Sequence, residues 1–296
     1  MEPLFVSGFT DAEGCFTLLL TKNPRLSIGW QVRVSFEIYL HKKDLALLEE
    51  IQFYFGGAGK ISSNSCRDTV SYKIQSLEQI LNVIIPHFDK YPLITHKGAD
   101  YLLFREVATM MQLKQHFTFE GLEKIVSIRA SLNWGLSDNL KAAFPNTLPV
   151  KRVLFENPQI ANPHWLAGFT AGEGSFKVRV YESPASKLGF KVQLIFQITQ
   201  HNRDMQLIKS LISYLDCGQY NASNQTASGI FLCTKFSDNY EKIIPFFRKH
   251  NIYGVKSKDF DDWCKIAEII KMKGHLTQEG LDQIRNIKSN MNKSRS

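Results

Sequence analysis

Residues 5–17 read FVSGFTDAEGCFT, and residues 165–177 read WLAGFTAGEGSFK. Both carry a Gly-Phe-Thr step, then an acidic residue followed by glycine, at an offset of 160 residues. The offset holds onward: Val32, Phe36 and Ile38 match Val192, Phe196 and Ile198, His41 and Asp44 match His201 and Asp204, and Tyr54 matches Tyr214. It then becomes 159, pairing Ile85-Pro86 with Ile244-Pro245, Lys97 with Lys256, Asp100 with Asp259, and HFTFEGLEKI at 116–125 with HLTQEGLDQI at 275–284. Nearly the whole chain is one unit written twice. A period this long excludes a solenoid and predicts two homologous domains related by a pseudo-twofold axis. The expected boundaries are 1–144 and 163–296, joined by a linker at 145–162 in which Pro145, Pro149 and Pro158 favour extended chain, with Pro163 just after it.

Two domains agree with a length of 296 residues. Apolar residues at 44% and charged residues at 22% are ordinary globular composition, excluding disorder and fibre. The net charge is +8. Residues 1–148 hold 15 basic and 15 acidic side chains, and residues 149–296 hold 21 and 13, so the excess lies in the second copy. A basic surface favours an acidic partner, nucleic acid foremost. Cys15, Cys66, Cys217, Cys233 and Cys264 form no CxxC pair, which signals neither a disulfide framework nor a zinc knuckle. The first residues read as neither a secretory signal nor a transit peptide, and no apolar run is long enough for a membrane span.

Each copy predicts the same elements. A short apolar helix ends at the acidic residue, and two strands with period-two alternation follow. Phe16 and Leu18, then Val32, Val34, Phe36 and Ile38 point inward; Phe176, Val178 and Val180, then Val192, Leu194, Phe196 and Ile198 do so in the second copy. Such alternation means an antiparallel sheet with one wet face. A helix at 42–55 and 202–215, a second strand pair at 58–76 and 217–236, and helices at 77–88, 97–113 and 118–132 with their counterparts complete an αββαββα unit of the α+β class. Thr118 and Thr277 are expected N-caps.

The first helix of each copy carries a stripe of small residues, Gly8 and Ala12 in one and Gly168 and Gly172 in the other, which lets another backbone approach. The two helices are therefore expected to pack on each other and to bring Glu13 and Glu173 side by side at their C-terminal ends. Carboxylates there face the negative end of the helix dipole and repel each other. The last-turn carbonyls, here of Ala12 and Gly172, have no helical partners. Carboxylates and free carbonyls are hard oxygen ligands of the kind Mg²⁺ accepts.

These segments resemble the signature of the LAGLIDADG homing endonucleases in their single-chain, two-repeat form. The resemblance extends through FEIYLHKKD and FQITQHNRD, through IPHFDKYPLITHKGADYLLF and IPFFRKHNIYGVKSKDFDDW, and into TFEGL and TQEGL. It implies two domains with saddle-shaped antiparallel sheets packed through the signature helices. It also implies Mg²⁺-dependent cleavage of both strands of a long, pseudo-palindromic DNA site, leaving short 3′ overhangs, with Ca²⁺ supporting binding without cleavage. The signature's last acid, the metal ligand in that family, maps onto Glu13 and Glu173. The sixth signature position is Asp11 in one copy and Ala171 in the other. A polar residue that often ends the second strand maps onto Gln200, with Leu40 as its counterpart, and a family-like lysine maps onto Lys97 and Lys256. Genes of this family usually lie in organelle introns or as inteins, which implies an intracellular, mitochondrial protein. Two other functions stay open at this point: an RNA maturase acting on the host intron, and a cleavage-inactive DNA-binding module of the same fold. The retained pair of acids favours cleavage.

The wet sheet faces would supply the DNA surface, since an antiparallel ribbon fits a major groove. Candidate readers are Thr17, Thr21, Arg33, Ser35, Glu37, Lys73 and Gln75 in the first copy, and Lys177, Arg179, Tyr181, Lys191, Gln193, Gln197, Thr199 and Lys235 in the second. Two such sheets suit double-stranded DNA of roughly two helical turns. Both halves being present in one chain predicts a monomer. GGAGK at 56–60 lacks phosphate-loop spacing and reads as a turn, and His116 and His275 have no second ligand at metal spacing.

Overall fold

The computed structural model describes residues 1–153, 155, 158–223 and 226–292. The chain divides into two compact units, Met1 with Glu13–Glu156, and Glu2–Ala12 with Asn157–Ser296. In the first copy, helix α1 (Pro3–Glu13) leads into β1 (Gly14–Lys22) and β2 (Trp30–His41), then α2 (Leu45–Tyr54), β3 (Lys60–Asn64) and β4 (Thr69–Ile74). After a helical segment come α3 (Lys97–Gln112), α4 (Phe119–Ser131) and the short α5 (Asp138–Ala143). The second copy repeats the order with α6 (Pro163–Glu173), β5 (Gly174–Glu182), β6 (Phe190–His201), α7 (Met205–Leu215), β7 (Gln219–Ala222), β8 (Ser228–Cys233), α8 (Val255–Lys271) and α9 (Gln278–Ser289). Each copy contributes one four-stranded antiparallel sheet, ordered β1-β2-β4-β3 and β5-β6-β8-β7. This is the expected α+β architecture. Among the described residues no helix is long and apolar enough to cross a membrane.

Alternation sets the faces. In β4, Val70, Tyr72 and Ile74 are buried while Thr69, Ser71 and Lys73 are half-buried on the other side. The inward residues meet an aromatic core that is itself duplicated. Phe16 packs on Phe36, Phe88, Tyr101 and Phe104. Phe176 packs on Phe196, Phe247, Phe260 and Trp263, the residues at the matching positions. Each of these rings removes a large apolar surface from water, which makes this cluster the main fastening of helices to sheet.

Two details differ from a reading of regular helices. The segment expected as one helix at 77–88 is three pieces, Leu77–Gln79, a π turn at Ile80–Ile84, and Ile85–Lys90; the second copy has the same widening at Asn239–Ile243. Pro86 and Pro245 explain it, because proline cannot donate to the carbonyl four residues back and its ring pushes that carbonyl away. The described residues between α5 and Pro163 form no helix or strand but are tied down, and residues 154, 156 and 157 of the expected linker lie outside the described residues. Val150 N–H donates to Ser127 O, and Arg152 bonds Ser131 O at 2.7 Å and pairs with Asp100 at 2.9 Å. The caps occur as the sequence suggests, with Thr118 and Thr277 accepting from Gly121 N and Gly280 N at 3.1 and 3.2 Å.

Candidate active site

The site rests on how α1 and α6 approach within the second unit. A Cβ on Gly8 would lie 1.9 Å from the Trp165 carbonyl oxygen, and one on Gly168 would lie 2.0 Å from that of Phe5. Backbone touches backbone at both points, so glycine is required for lack of space rather than for its dihedral freedom. Ala12 and Gly172, one turn further along, are half-buried. A polar tie reinforces the packing. Trp165 Nε1 donates to Asp11 Oδ2 at 2.8 Å, and both residues are 2% exposed. The sequence showed only that Asp11 has no acidic counterpart; the compensating change, Trp165 where the first copy has Phe5, was its available signal.

Helix α6 starts with Asn162 capping His164 N–H and passes at Glu173 directly into strand β5. Gly174 makes this junction, where a Cβ would press within 2.4 Å of the Thr170 methyl carbon. Glu173 is half-buried, and its Oε1 accepts from Gln200 Nε2 at 3.4 Å. Gln200 is fixed in turn, because its own Oε1 accepts from His201 N–H at 2.8 Å. Lys256, near the start of α8, places its ammonium on the end of α6, donating to Gly172 O at 2.6 Å and Thr170 O at 3.2 Å. A cation there offsets the negative helix end that otherwise disfavours the Glu173 carboxylate. Glu173, Gly172, Gln200 and Lys256 are thus brought together within one unit.

In the first copy, Glu13 ends α1 in the same way and Gly14 opens β1. Leu40 stands on β2 where Gln200 stands on β6, and its side chain carries no amide. Lys97 is the first residue of α3, and its main-chain N–H is held by Thr95 Oγ1 at 3.1 Å. Among the described residues, no three His, Cys, Asp or Glu side chains gather. The donors at the end of α6 are instead the Glu173 carboxylate and the Gly172 carbonyl, oxygens of the kind a hard divalent ion accepts, with the Lys256 ammonium already on that carbonyl.

Strand register arranges the outward sheet faces. Thr17 lies beside Ser35, Thr21 beside Gln31, and Glu37 beside Lys73. Lys177 lies beside Ile195, Arg179 beside Gln193, Tyr181 beside Lys191, and Thr199 beside Ile230. Arg33, Lys177, Arg179 and Lys191 are exposed, whereas Thr17, Thr21, Lys73, Tyr181, Gln193, Gln197 and Thr199 are half-buried. Gln75 and Lys235 are exposed just beyond the ends of β4 and β8, and Lys235 pairs with Asp238 at 3.4 Å. Ser35 and Glu37 depart from the expectation of free readers. They are 7% and 8% exposed, because Ser35 Oγ and Tyr39 OH both donate to the Glu37 carboxylate, at 2.7 and 2.5 Å. Strand parity also puts Leu19, Ile195, Ile230 and Leu232 on the same faces, apolar side chains that a polar pattern does not pick out. His116 and His275 each bury a ring Nδ1, and burial lowers both pKa values, consistent with structural rather than metal-binding residues.

Comparison with known proteins accords with this geometry. The family model for LAGLIDADG endonuclease matches residues 6–108 and again 166–267. "Probable intron-encoded endonuclease 2" of Neurospora crassa is 41% identical over 301 residues, covering 98% of this chain and 65% of the relative. The I-SmaMI LAGLIDADG homing endonuclease bound to cleaved DNA superposes with a TM-score of 0.97 at 49% identity, covering 100% of this chain and 98% of that one. I-SmaMI bound to an uncleaved DNA target in the presence of calcium ions matches with a TM-score of 0.97 at 49% identity, covering 99% of each chain. The chain spans 65% of the length of the Neurospora crassa relative and 53% of a second from the same organism. The helices ending at Glu13 and Glu173 are the two copies of the signature, and the chain belongs to the LAGLIDADG endonuclease family.

Proposed function

We propose that this chain is a site-specific, intron-encoded DNA endonuclease that acts as a monomer and hydrolyses both strands of a long duplex site with Mg²⁺, leaving short 3′ overhangs. The observation that carries the reading is the end of α6, where Glu173 is oriented by Gln200 and the Lys256 ammonium lies on the adjacent carbonyls. The DNA-bound state of I-SmaMI, captured with calcium ions, supports duplex DNA as the substrate and a divalent ion as the cofactor. The relatives named as intron-encoded support an organelle, mitochondrial origin.

Hydrolysis forms a bond from a water oxygen to phosphorus and breaks the bond to O3′. The water gives up one proton, and O3′ takes one to leave as a hydroxyl, with the phosphate remaining on the 5′ end. Glu173 with the carbonyl of Gly172, and in the first copy Glu13 with that of Ala12, would hold a divalent ion. When bound, a divalent ion supplies positive charge for the phosphate and lowers the pKa of water. Gln200 orients Glu173, and because the matching residue Leu40 carries no amide, the two carboxylates are supported by different side chains. Lys256 and Lys97 supply fixed positive charge for the charge that develops on the phosphate. In I-SmaMI, the two lysines changed together to alanine are 159 residues apart, the separation of Lys97 and Lys256 here. The outward residues, Arg33, Lys177, Arg179, Lys191 and Gln193 foremost, hold the duplex and read base edges.

The test is selective cleavage of a randomised plasmid library in Mg²⁺, with Ca²⁺ in parallel. A discrete long site cut in Mg²⁺ and only bound in Ca²⁺ is the expected outcome. Binding with no cleavage in any divalent ion would leave a DNA-binding module and refute the enzyme.

A further inference from the structure

The outward face of the first sheet holds a buried acid where the second sheet has none. One row across the first sheet runs Cys15, Glu37, Lys73, Lys60, each residue beside the next in register. The corresponding row of the second sheet runs Ser175, Gln197, Leu232, Gln219 and carries no charge. Glu37 is 8% exposed. Its Oε1 accepts from Ser35 Oγ at 2.7 Å, its Oε2 accepts from Tyr39 OH at 2.5 Å, and Lys73 Nζ lies 3.5 Å from Oε2. The Lys73 ammonium also sits 4.8 Å from the centre of the Tyr39 ring. The hydrogen bond with Tyr39, aided by the charge of Glu37, raises the pKa of Lys73, so its charge is secure at neutral pH. Tyr39 and Lys73 line a hollow of about 350 Å³ with Ser62, Asn64, Arg67 and Ser71.

A lysine on a flexible stem normally loses rotamer entropy when it makes a contact. Here much of that loss has occurred before any ligand arrives, because two groups, the Glu37 carboxylate and the Tyr39 ring, hold the ammonium. Lys73 is on β4, an inner strand between β2 and β3, and a ribbon laid in the major groove turns its outward side chains toward base edges. Among base edges in the major groove, guanine presents two acceptors, O6 and N7, whereas adenine presents one acceptor beside a donor that an ammonium cannot satisfy.

We propose that Glu37 is a positioning residue that holds Lys73 and Tyr39 as a fixed reader of one guanine in the half-site bound by the first unit. The proposal rests on the DNA endonuclease reading. The position read lies inward of that of Arg33, which is four residues, or about 13 Å, along β2 from Glu37. Glu37 itself then contributes no base contact, although strand parity places it among the readers.

The experiment is binding selection from a randomised duplex library in Ca²⁺ for the wild type, Lys73→Met, Glu37→Gln and Glu37→Ala. The wild type should require guanine at one inner position of that half-site. Lys73→Met should relax that preference by about 5–150-fold, the range for one bidentate contact. Glu37→Ala should relax the same position by at least about fivefold and leave the others unchanged; Glu37→Gln, which keeps an oxygen for Ser35 and Tyr39, should fall between. A merely structural role would not single out one base pair. Uniform weakening by Lys73→Met with a shallower salt dependence would make Lys73 a phosphate contact and overturn the proposal. So would a Glu37→Ala profile equal to wild type, or one altered at a different base pair. If the wild type selects no sequence, the DNA-binding reading itself fails, and that result is distinct from the others.

Discussion

Replacing Gly8 by alanine adds one methyl group at the closest approach of α1 to α6. Its Cβ would sit 1.9 Å from the Trp165 carbonyl oxygen and 2.9 Å from the Phe169 nitrogen. Ordinary contact begins near 3.4 Å, so the helices must separate by about 1.5 Å. Neither clashing atom is a side-chain tip that can rotate away. Overpacking of this kind costs about 3 kcal/mol, the upper end of the usual range, because backbone has to move. Alanine returns about 1 kcal/mol through helix propensity. The net loss is about 2 kcal/mol, a fall in Tm of roughly 4–8 °C for a unit of this size. Gly168→Ala should behave alike, since its Cβ meets the Phe5 carbonyl oxygen at 2.0 Å. Thermal unfolding followed by circular dichroism and calorimetry measures both. A Tm equal to or above that of the wild type for Gly8→Ala would refute the backbone-to-backbone packing.

Three further expectations follow from the same contacts. Trp165→Phe keeps the ring but removes the indole donor to the buried Asp11, and should cost about 1–3 kcal/mol in urea denaturation; unchanged stability would deny the tie any weight. Burial holds the His87 imidazole down at about 4, below its ordinary 6.5, so the folded state binds fewer protons than the unfolded state between those values. Its contribution is therefore present above pH 6.5 and is lost as pH falls toward 4, by roughly 3 kcal/mol; the His87→Phe variant should lose less stability over that window than the wild type, and an identical loss would contradict the assignment. Gln200→Ala should slow cleavage by about 10–100-fold, the usual effect of removing a group that orients a metal ligand, and should slow one strand more than the other; equal slowing of both strands would count against separate support of the two carboxylates.

Much of this molecule was legible because it is written twice. One Gly-Phe-Thr-x-x-Glu-Gly segment is weak evidence, but its recurrence before matching strands fixed both helix ends and both sheet faces. Period-two alternation assigned Phe16, Phe36, Phe176 and Phe196 to the core, where they are 0–1% exposed. What escaped the sequence was tertiary. Asn133 and Asn292 adopt left-handed conformations just after α4 and α9 and donate to the carbonyls of Phe16 and Phe176 at 3.0 and 3.1 Å, contacts that span more than 100 residues. The π turns before Pro86 and Pro245 had a local signal, the paired Ile-Pro, which a helical pattern hides. Strand parity put Ser35 and Glu37 on the outward face but could not show that Tyr39 and Lys73 would close over them. The partner of Lys256 was equally hidden, because the carbonyls it binds belong to a helix more than 80 residues earlier.

The proposed metal chemistry centres on the carboxylate at the end of α6, and Glu173→Gln tests it most directly. The change keeps size and hydrogen-bonding atoms but removes the charge that would hold a metal ion. A gel shift in Ca²⁺ beside a cleavage assay in Mg²⁺, with Glu13→Gln in parallel, separates binding from chemistry. Cleavage should fall by orders of magnitude in both variants while the Kd for the selected site stays within a few-fold of wild type, since the reading surface lies on the sheets. Cleavage by Glu173→Gln at the wild-type rate would contradict the central claim, and loss of binding together with cleavage would assign the carboxylate a structural role instead.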